Sequence, residues 1–400
     1  ATRLGVFRSL DAGATFTLEP SVSASTGCTD MAMQVNNPTT GYLFVSCGRT
    51  SGQGTIWRAE DTDTSTFTSV LSLAGQGRSS IAVAPSNESV IYVLAAQRTS
   101  GVTGLGPGLG GLHGVYRSTA NGDAGSFTTQ RQGNSAFTGT ADKINKLLLS
   151  NPVVGLLTEC GFGTSSLLNQ GWYDNVIAVD PLDSDKVWIG GIDVWRSDNG
   201  GVDWGTASYW WFDKGVDPEY HHADQHALVF HPGYNGTSNR ILYFGSDGGV
   251  SRTLDARAPV NTTLAQICGA PVPASTTFED RSNGFVTTQF YDGVAYPDGS
   301  RYFGGLQDNG TQRGTSGNGS WSVLAGGDGG YVALDTLNDA NPANDVLFLE
   351  NTGKSLQRST DGGASFAAVN SGITGSGFLF IAPFTMNLGN RNHIWTGGFD

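Results

Sequence analysis

The residues that could do chemistry in this sequence are carboxylates, imidazoles, amides and aromatic rings at the edges of short apolar strands. Asp174, Asp224 and Asp328 are candidate catalytic residues. Two carboxyl groups can serve as acid and as base or nucleophile on a glycosidic bond, and their separation selects the stereochemical outcome. Aromatic rings can stack on sugar faces, and histidines can carry protons. The candidate substrate-binding residues are Trp172, Tyr173, His222, His226, Asp247, Gln289, Tyr291, Gln307 and Asp308.

The same residues also have structural interpretations. Asp247 and Asp308 lie in Asp-Gly-Gly and Asp-Asn-Gly segments, which are typical of turns. Asp224 and His226 are equally suited to bonding the backbone of a neighbouring strand. The aspartates could bind calcium, but no sequential ligand loop supports a metal site, so we expect no metal and no cofactor.

A short motif, Ser-x-Asp/Asn-x-Gly-x-x-aromatic, recurs along the chain. In it an Asp or Asn bonds its own turn backbone, a Gly takes positive φ and an aromatic residue opens the returning strand. This pattern predicts a hairpin turn with a structural role, because the turn occupies the carboxylate. Full copies span residues 9–16, 197–204 and 359–366, and a looser copy spans 118–127.

Short apolar strands that end in Pro or Asp occur seven times, each followed by a turn and a second apolar strand. The first strands are predicted at 31–38, 81–85, 177–181, 227–232, 293–297, 331–335 and 378–383. The second strands are predicted at 42–47, 90–96, 186–190, 241–245, 302–305, 346–350 and 394–397. Insertions are predicted at 99–114, 137–170 and 254–277, with a short helix at 141–149.

The motif resembles the Asp-box (BNR) repeat of sialidase-like, sortilin-like and xyloglucan-hydrolysing β-propellers. The resemblance implies an all-β, seven-bladed β-propeller as one domain over residues 1–400, with Asp-box hairpins. We expect residues 1–20 to complete the last blade with residues 377–400; the competing view is a fragment of a longer protein. In this geometry the candidate site residues would converge from blades three to six at one channel mouth, opposite the Asp-box turns.

Four further segments resemble uncharacterised exported bacterial sortilin-like proteins, whose propellers bind peptides and proteins without catalysis. They are 224–226, 247–249, 288–291 and 305–311. Residues 171–185 resemble the strand openings of xyloglucan-hydrolysing propellers. A sialidase would need clustered arginines to clamp a carboxylate, but here the arginines beside the motif belong to hairpin strands, so that activity is disfavoured.

Composition limits the partners and the compartment. The net charge of −13 disfavours nucleic acid and anionic membrane, and no apolar run is long enough to span a bilayer. Cys28 and Cys47 are predicted to be opposite each other in a hairpin and to form a disulfide. The pairing of Cys160 and Cys268 stays open. Together these features favour a secreted or cell-surface bacterial protein.

Two functions are compatible with these features. The first is glycan recognition, with or without hydrolysis by a carboxylate pair, and its partner would be a polysaccharide or another glycan. The alternative is a non-catalytic, sortilin-like module that binds a protein or peptide ligand or assembles at the cell surface. Self-assembly, or a second domain in a longer chain, is compatible with either.

Overall fold

Frequent turn residues between short apolar runs fold the chain into antiparallel strands joined by tight turns. The computed structural model describes residues 5–12, 14–22, 27–36, 41–49, 52–62, 66–98, 109–133, 140–145, 147–152, 168–268, 276–282, 288–316, 320–337, 341–353, 355–373, 378–387 and 390–396. The chain divides into two compact units, residues 1–285 and 286–400. In the described residues, no helix is long and apolar enough to cross a membrane.

Unit 1 begins with a two-stranded ribbon and continues with four-stranded sheets. The ribbon is β1 (Phe7–Arg8) and β2 (Thr17–Leu18). The first two sheets are β3 (Cys28–Met33), β4 (Tyr42–Cys47), β5 (Thr55–Glu60), β6 (Thr68–Leu71), then β7 (Gln76–Val83), β8 (Ile91–Gln97), β9 (Leu112–Ser118), β10 (Thr128–Gln132). The next two are β11 (Val176–Val179), β12 (Val187–Gly190), β13 (Val194–Ser197), β14 (Gly205–Thr206), then β15 (Gln225–Phe230), β16 (Leu242–Ser246), β17 (Gly249–Thr253), β18 (Glu279–Asp280).

Unit 2 repeats the same plan. Its sheets are β19 (Phe290–Ala295), β20 (Arg301–Leu306), β21 (Gly310–Thr315), β22 (Trp321–Ala325), then β23 (Val332–Asp335), β24 (Val346–Glu350), β25 (Leu356–Ser359), β26 (Ala367–Ala368). A ribbon of β27 (Phe384–Met386) and β28 (Ile394–Thr396) follows.

Each four-stranded sheet is an antiparallel meander in chain order, which is the blade of a β-propeller. The predicted all-β propeller class is confirmed, with six complete blades in the described residues. The predicted joining of residues 1–20 with 377–400 concerns both units and stays a prediction.

The prediction of a seventh first strand at 378–383 is wrong, because the strand of this blade begins after that range and is β27, Phe384–Met386. Backbone groups before β27 are taken by other partners: the Ala382 amide donates to Glu350 Oε1 at 2.8 Å, and Ile381 forms an isolated bridge with Gly353. Pro383 has no N–H to offer a ladder. The segment therefore docks on the preceding blade of unit 2 instead of extending its own.

The helices are short. The predicted helix at 141–149 is α1 (Thr140–Asn145), after which the amides of Leu147 and Leu148 bond carbonyls three residues earlier. A second helix, α2 (Leu264–Ile267), was not predicted. Thr263 and Gln266 form a capping box at its start, so polar side chains satisfy the first amides.

The hairpin motif has the predicted structural role. In the copy that begins at Ser359, the Ser Oγ donates to Asp361 Oδ1 at 2.7 Å and accepts from the Gly363 amide at 2.8 Å. Ser197 makes the same bonds to Asn199 and Gly201, at 3.0 and 2.9 Å. The carboxylate or amide is thus part of the turn and is not available for catalysis.

The predicted Cys28–Cys47 disulfide is confirmed, with an S–S distance of 2.02 Å between facing residues of β3 and β4. Cys268 is also disulfide-bonded. Cys160 lies outside the described residues.

Candidate functional site

Three aspartates of unit 1 come together where strands of adjacent blades begin or turn. Asp174 lies just before β11, Asp224 just before β15, and Asp247 in the turn between β16 and β17. Asp224 has a left-handed backbone, with φ of 65°. Its amide donates to the Ile192 carbonyl at 3.0 Å, and its carbonyl accepts from the Asp247 amide at 3.3 Å. The backbone therefore holds the Asp224 and Asp247 side chains at neighbouring positions.

Asp174 and Asp224 lie close enough for their carboxyl groups to interact. Asp174 has no exposed surface, and its two side-chain oxygens have no donor among the described residues. Two ionised carboxylates can only repel, so their contact is a hydrogen bond when one of them carries a proton. Burial raises the pKa of Asp174, and the nearby charge of Asp224 raises it further. A ligand can therefore meet Asp224 but not Asp174, which has no exposed surface.

Asp224 is the more accessible member of this pair. Gln170 Nε2 donates to its Oδ1 at 2.9 Å and orients the carboxyl group. Burial, followed by the charge of Asp247, raises the pKa of Asp224 to about 6, while the bond with Asp174 opposes the rise. Asp224 thus holds a proton in mildly acidic solution and releases it near neutrality.

Asp247 is held by two donors. His226 Nε2 donates to Oδ1 at 2.7 Å, and the Tyr173 hydroxyl donates to Oδ2 at 2.9 Å. The rings of Tyr173 and His226 meet edge to face, with centroids 5.0 Å apart. One carboxylate oxygen of Asp247 lies within 4.8 Å of one of Asp224. Both carboxylate oxygens of Asp247 thus accept hydrogen bonds within the protein.

Three further residues support this cluster, and two of them, Gln170 and Arg78, were not predicted. Arg78 donates to the carbonyls of Trp172 and Tyr173, which fixes the segment before Asp174. Asp193 has no exposed surface, and burial raises its pKa to about 8 even though its Oδ1 accepts from Ser208 Oγ at 2.7 Å. Nothing in the sequence near Arg78 or Gln170 signals these contacts.

Beside the aspartates is a surface for a ligand. Trp172 is 50% exposed, and its ring lies 5.8 Å from that of Tyr173. A cavity of about 480 Å³ adjoins the Asp247 turn and is lined by His222, Ser246 and Gly248 among others. Gly248 is required here, because a Cβ on it would be 2.2 Å from the His222 ring.

The remaining predicted site residues form a second group in unit 2. Asp328 Oδ1 accepts from the Asp308 amide at 3.0 Å, and the Tyr291 hydroxyl donates to Gln307 Oε1 at 3.0 Å. The Gln307 amide donates to the Gln289 carbonyl at 3.0 Å. Asp328 therefore supports the turn at Asp308. The prediction that both groups surround one channel mouth concerns both units and stays a prediction.

No protein-family model and no curated protein matches the chain. Among solved structures it is similar to YCF48 bound to D1 peptide, with 12% identity over 85% of this chain and 81% of that one and a TM-score of 0.30. It is similar to the GH74 xyloglucanase from Xanthomonas campestris, with 16% identity over 92% of this chain and a TM-score of 0.35; the chain spans 50% of that protein's length. It is also similar to the major Malassezia sympodialis allergen Mala s 1, with 12% identity over 70% of this chain and 72% of that one and a TM-score of 0.35.

Proposed function

We propose that this protein recognises a glycan and hydrolyses a glycosidic bond with Asp224 and Asp247. The observation that carries the proposal is the pairing of two carboxyl groups, Asp224 with a raised pKa and Asp247 held by two hydrogen-bond donors, with oxygens within 4.8 Å. In a retaining glycosidase, one carboxyl group with a raised pKa is the acid and a second is the nucleophile, and the two stand roughly 5 Å apart.

Each residue has a distinct role in this proposal. Asp224 donates its proton to the glycosidic oxygen as the bond to the anomeric carbon breaks. Asp247 attacks that carbon and forms a sugar ester, which water then cleaves after giving a proton to Asp224. Asp174 is a positioning residue whose bond with Asp224 lowers the pKa of Asp224, against the effects of burial and of Asp247. The half-exposed Trp172 stacks on a sugar ring.

A glycan array followed by product analysis tests this function. We expect wild-type protein to bind and cleave at least one glycan, and Asp224→Asn to bind it while cleaving it about 10²- to 10⁴-fold more slowly. Asn tolerates the left-handed backbone at position 224, so the turn is kept. Asp61→Asn, at an exposed aspartate, is the matched control and keeps full activity. Absence of any bound glycan, or an Asp224→Asn variant as active as wild type, would refute the proposal.

The alternative is a non-catalytic module that binds a protein or peptide, or assembles at the cell surface. It is favoured by one observation: the carboxylate of Asp247 is satisfied within the protein by Tyr173 and His226. A protein or peptide that binds Asp224→Asn as tightly as it binds wild type, together with no cleavage of any glycan, would favour this alternative.

The family and the compartment belong to the same proposal. We propose that the chain is an Asp-box propeller of the sortilin-like and xyloglucanase-like type, because its hairpin turns recur with the Asp-box pattern. The Cys28–Cys47 disulfide supports a secreted or cell-surface location, since disulfides persist in oxidising compartments.

A further inference from the structure

The cavity beside Asp247 adjoins the turn that carries this residue. Ser246 and Gly248, which flank Asp247 in the chain, both line it. His222 lines it as well, and lies close enough to Asp224 for its charge to act on that carboxyl group. At about 480 Å³, the cavity is within the usual size range of small-ligand sites. A sugar held at Asp224 and Asp247 would therefore extend a substituent or a neighbouring ring into it.

Several polar side chains that line this cavity already have a bond within the protein. Lys214, Tyr220 and His222 also line it. The occupied groups are Ser246 Oγ with the Gly248 amide at 3.3 Å, Ser251 Oγ with His221 Nδ1 at 3.0 Å, Asp217 Oδ2 with the Asp213 amide at 2.9 Å, and Asp280 Oδ1 with the Ser282 amide at 2.7 Å.

The rest of the wall is largely apolar. Val216, Pro218, Val250 and Phe278 line the cavity, and the side chains of Val216 and Val250 are 75% and 40% exposed. The ring of His221 is stacked on Phe278 with centroids 4.7 Å apart, and burial lowers its pKa to about 4, so it is uncharged. The wall thus offers apolar contact to whatever enters.

We propose that the cavity holds the acyl substituent of an acylated sugar, such as the N-acetyl group of an N-acetylhexosamine, next to the bond cleaved at Asp224 and Asp247. This inference rests on the proposed glycan hydrolysis. A hydroxyl group placed against Val250 or Phe278 would lose water without gaining a partner, which is unfavourable. An acyl methyl group removes apolar wall from water, which is favourable.

Two oligosaccharides of equal length and linkage isolate the acyl group. N-acetylchitohexaose and cellohexaose share a β-1,4 backbone and differ at the C2 substituent. In isothermal titration with Asp224→Asn, which binds without cleaving, we expect N-acetylchitohexaose to bind at least about tenfold more tightly, the usual minimum effect of filling an apolar pocket.

A second substitution, added to Asp224→Asn, locates this preference in the cavity. Val250→Asp places a charge on the apolar wall and removes the preference. Val229→Asp is the matched control, because Val229 is 57% exposed in the same blade and is not a wall residue. It keeps the preference. Equal melting temperatures of the two variants show that the result does not come from unfolding.

Equal binding of the two oligosaccharides, binding of neither, or a preference that survives Val250→Asp overturns the inference. If the inference fails in this way but unacylated glycans on the array are cleaved, the proposed hydrolysis is still supported. An array with no bound glycan overturns both.

Discussion

At the scale of single residues, two of the fully buried aspartates of unit 1 have a raised pKa. Asp174 and Asp193 both have no exposed surface, and burial raises the pKa of each. Removing a carboxylate from water is unfavourable, so each prefers to keep its proton when folded. Their protons link the stability of the protein to pH.

We expect the free energy of unfolding to fall as pH rises from about 4 to 8. Asp193 titrates at about 8 when folded, against an ordinary value of 3.8, so the folded state binds more protons in this range and its advantage is lost as pH rises. Asp193→Asn keeps an acceptor for Ser208 and the Trp210 amide but does not titrate. Urea unfolding at pH 5 and pH 8 should show a smaller loss in this variant than in wild type.

Asp61→Asn, at an exposed position, controls for the loss of a negative charge and should retain the wild-type pH dependence. An unchanged pH dependence in Asp193→Asn would mean that this carboxyl group is not protonated in the folded protein.

Trp172 allows a separate test of ligand stacking. We expect Trp172→Ala to weaken glycan binding by about 2- to 10-fold, because an exposed aromatic contact is worth roughly 0.5–1.5 kcal/mol. Titration with the bound glycan measures the loss. Leu182→Ala, an exposed apolar residue just beyond the other end of β11, should bind like wild type. Equal affinities of wild type and Trp172→Ala would remove Trp172 from the site.

The sequence predicts part of the unit 1 cluster. Polar residues at strand ends of neighbouring blades are expected to converge. This expectation predicted five members of the cluster: Asp174, Asp224, Asp247, Tyr173 and His226. The hydrogen bonds between these residues could not be predicted. The pairing of each oxygen with its donor depends on loop conformations, which the pattern of strands does not encode. Arg78 and Gln170 were missed for the same reason.

At the scale of elements, close approach of two segments in unit 2 depends on a glycine. A Cβ on Gly305, in β20, would be 1.9 Å from the backbone oxygen of Gly330. Backbone atoms cannot rotate away, so the segments would have to separate. We expect Gly305→Ala to lower the free energy of unfolding by about 1–3 kcal/mol, the usual cost of overpacking. Denaturant unfolding measures it.

Gly326→Ala provides the comparison within the same unit. A Cβ on Gly326 has no atom within 4 Å, and its φ lies outside the left-handed region, so the variant should be as stable as wild type or slightly more stable. If Gly305→Ala were no less stable than Gly326→Ala, the close contact with Gly330 would be disproved.

Strand positions were predictable where local pattern and tertiary contacts agree. The second strands at 42–47 and 346–350 were predicted with the bounds of β4 and β24, because apolar runs between turn residues define them. The strand predicted at 378–383 does not form there, because the Ala382 amide donates a hydrogen bond to Glu350, which is distant in sequence. The sequence of a strand does not show that a distant carboxylate will accept a hydrogen bond from its backbone.

At the scale of the whole molecule, repetition explains why the fold class was predictable. Six four-stranded meanders follow one another in the described residues, and each repeats the alternation of apolar strands and turns. The net charge of −13 suits a neutral or cationic ligand better than a polyanion, in agreement with a glycan lacking acidic groups. The closing of a seventh blade by residues 1–20 and 377–400 stays a prediction.

The central claim is that Asp224 and Asp247 cleave a glycosidic bond together. Its most direct test is ¹H NMR of the first product formed from a glycan that the protein binds, recorded before the anomers interconvert. Carboxylate oxygens within 4.8 Å predict that the product keeps the anomeric configuration of the substrate. An inverted product, or no product from any bound glycan, would contradict the claim.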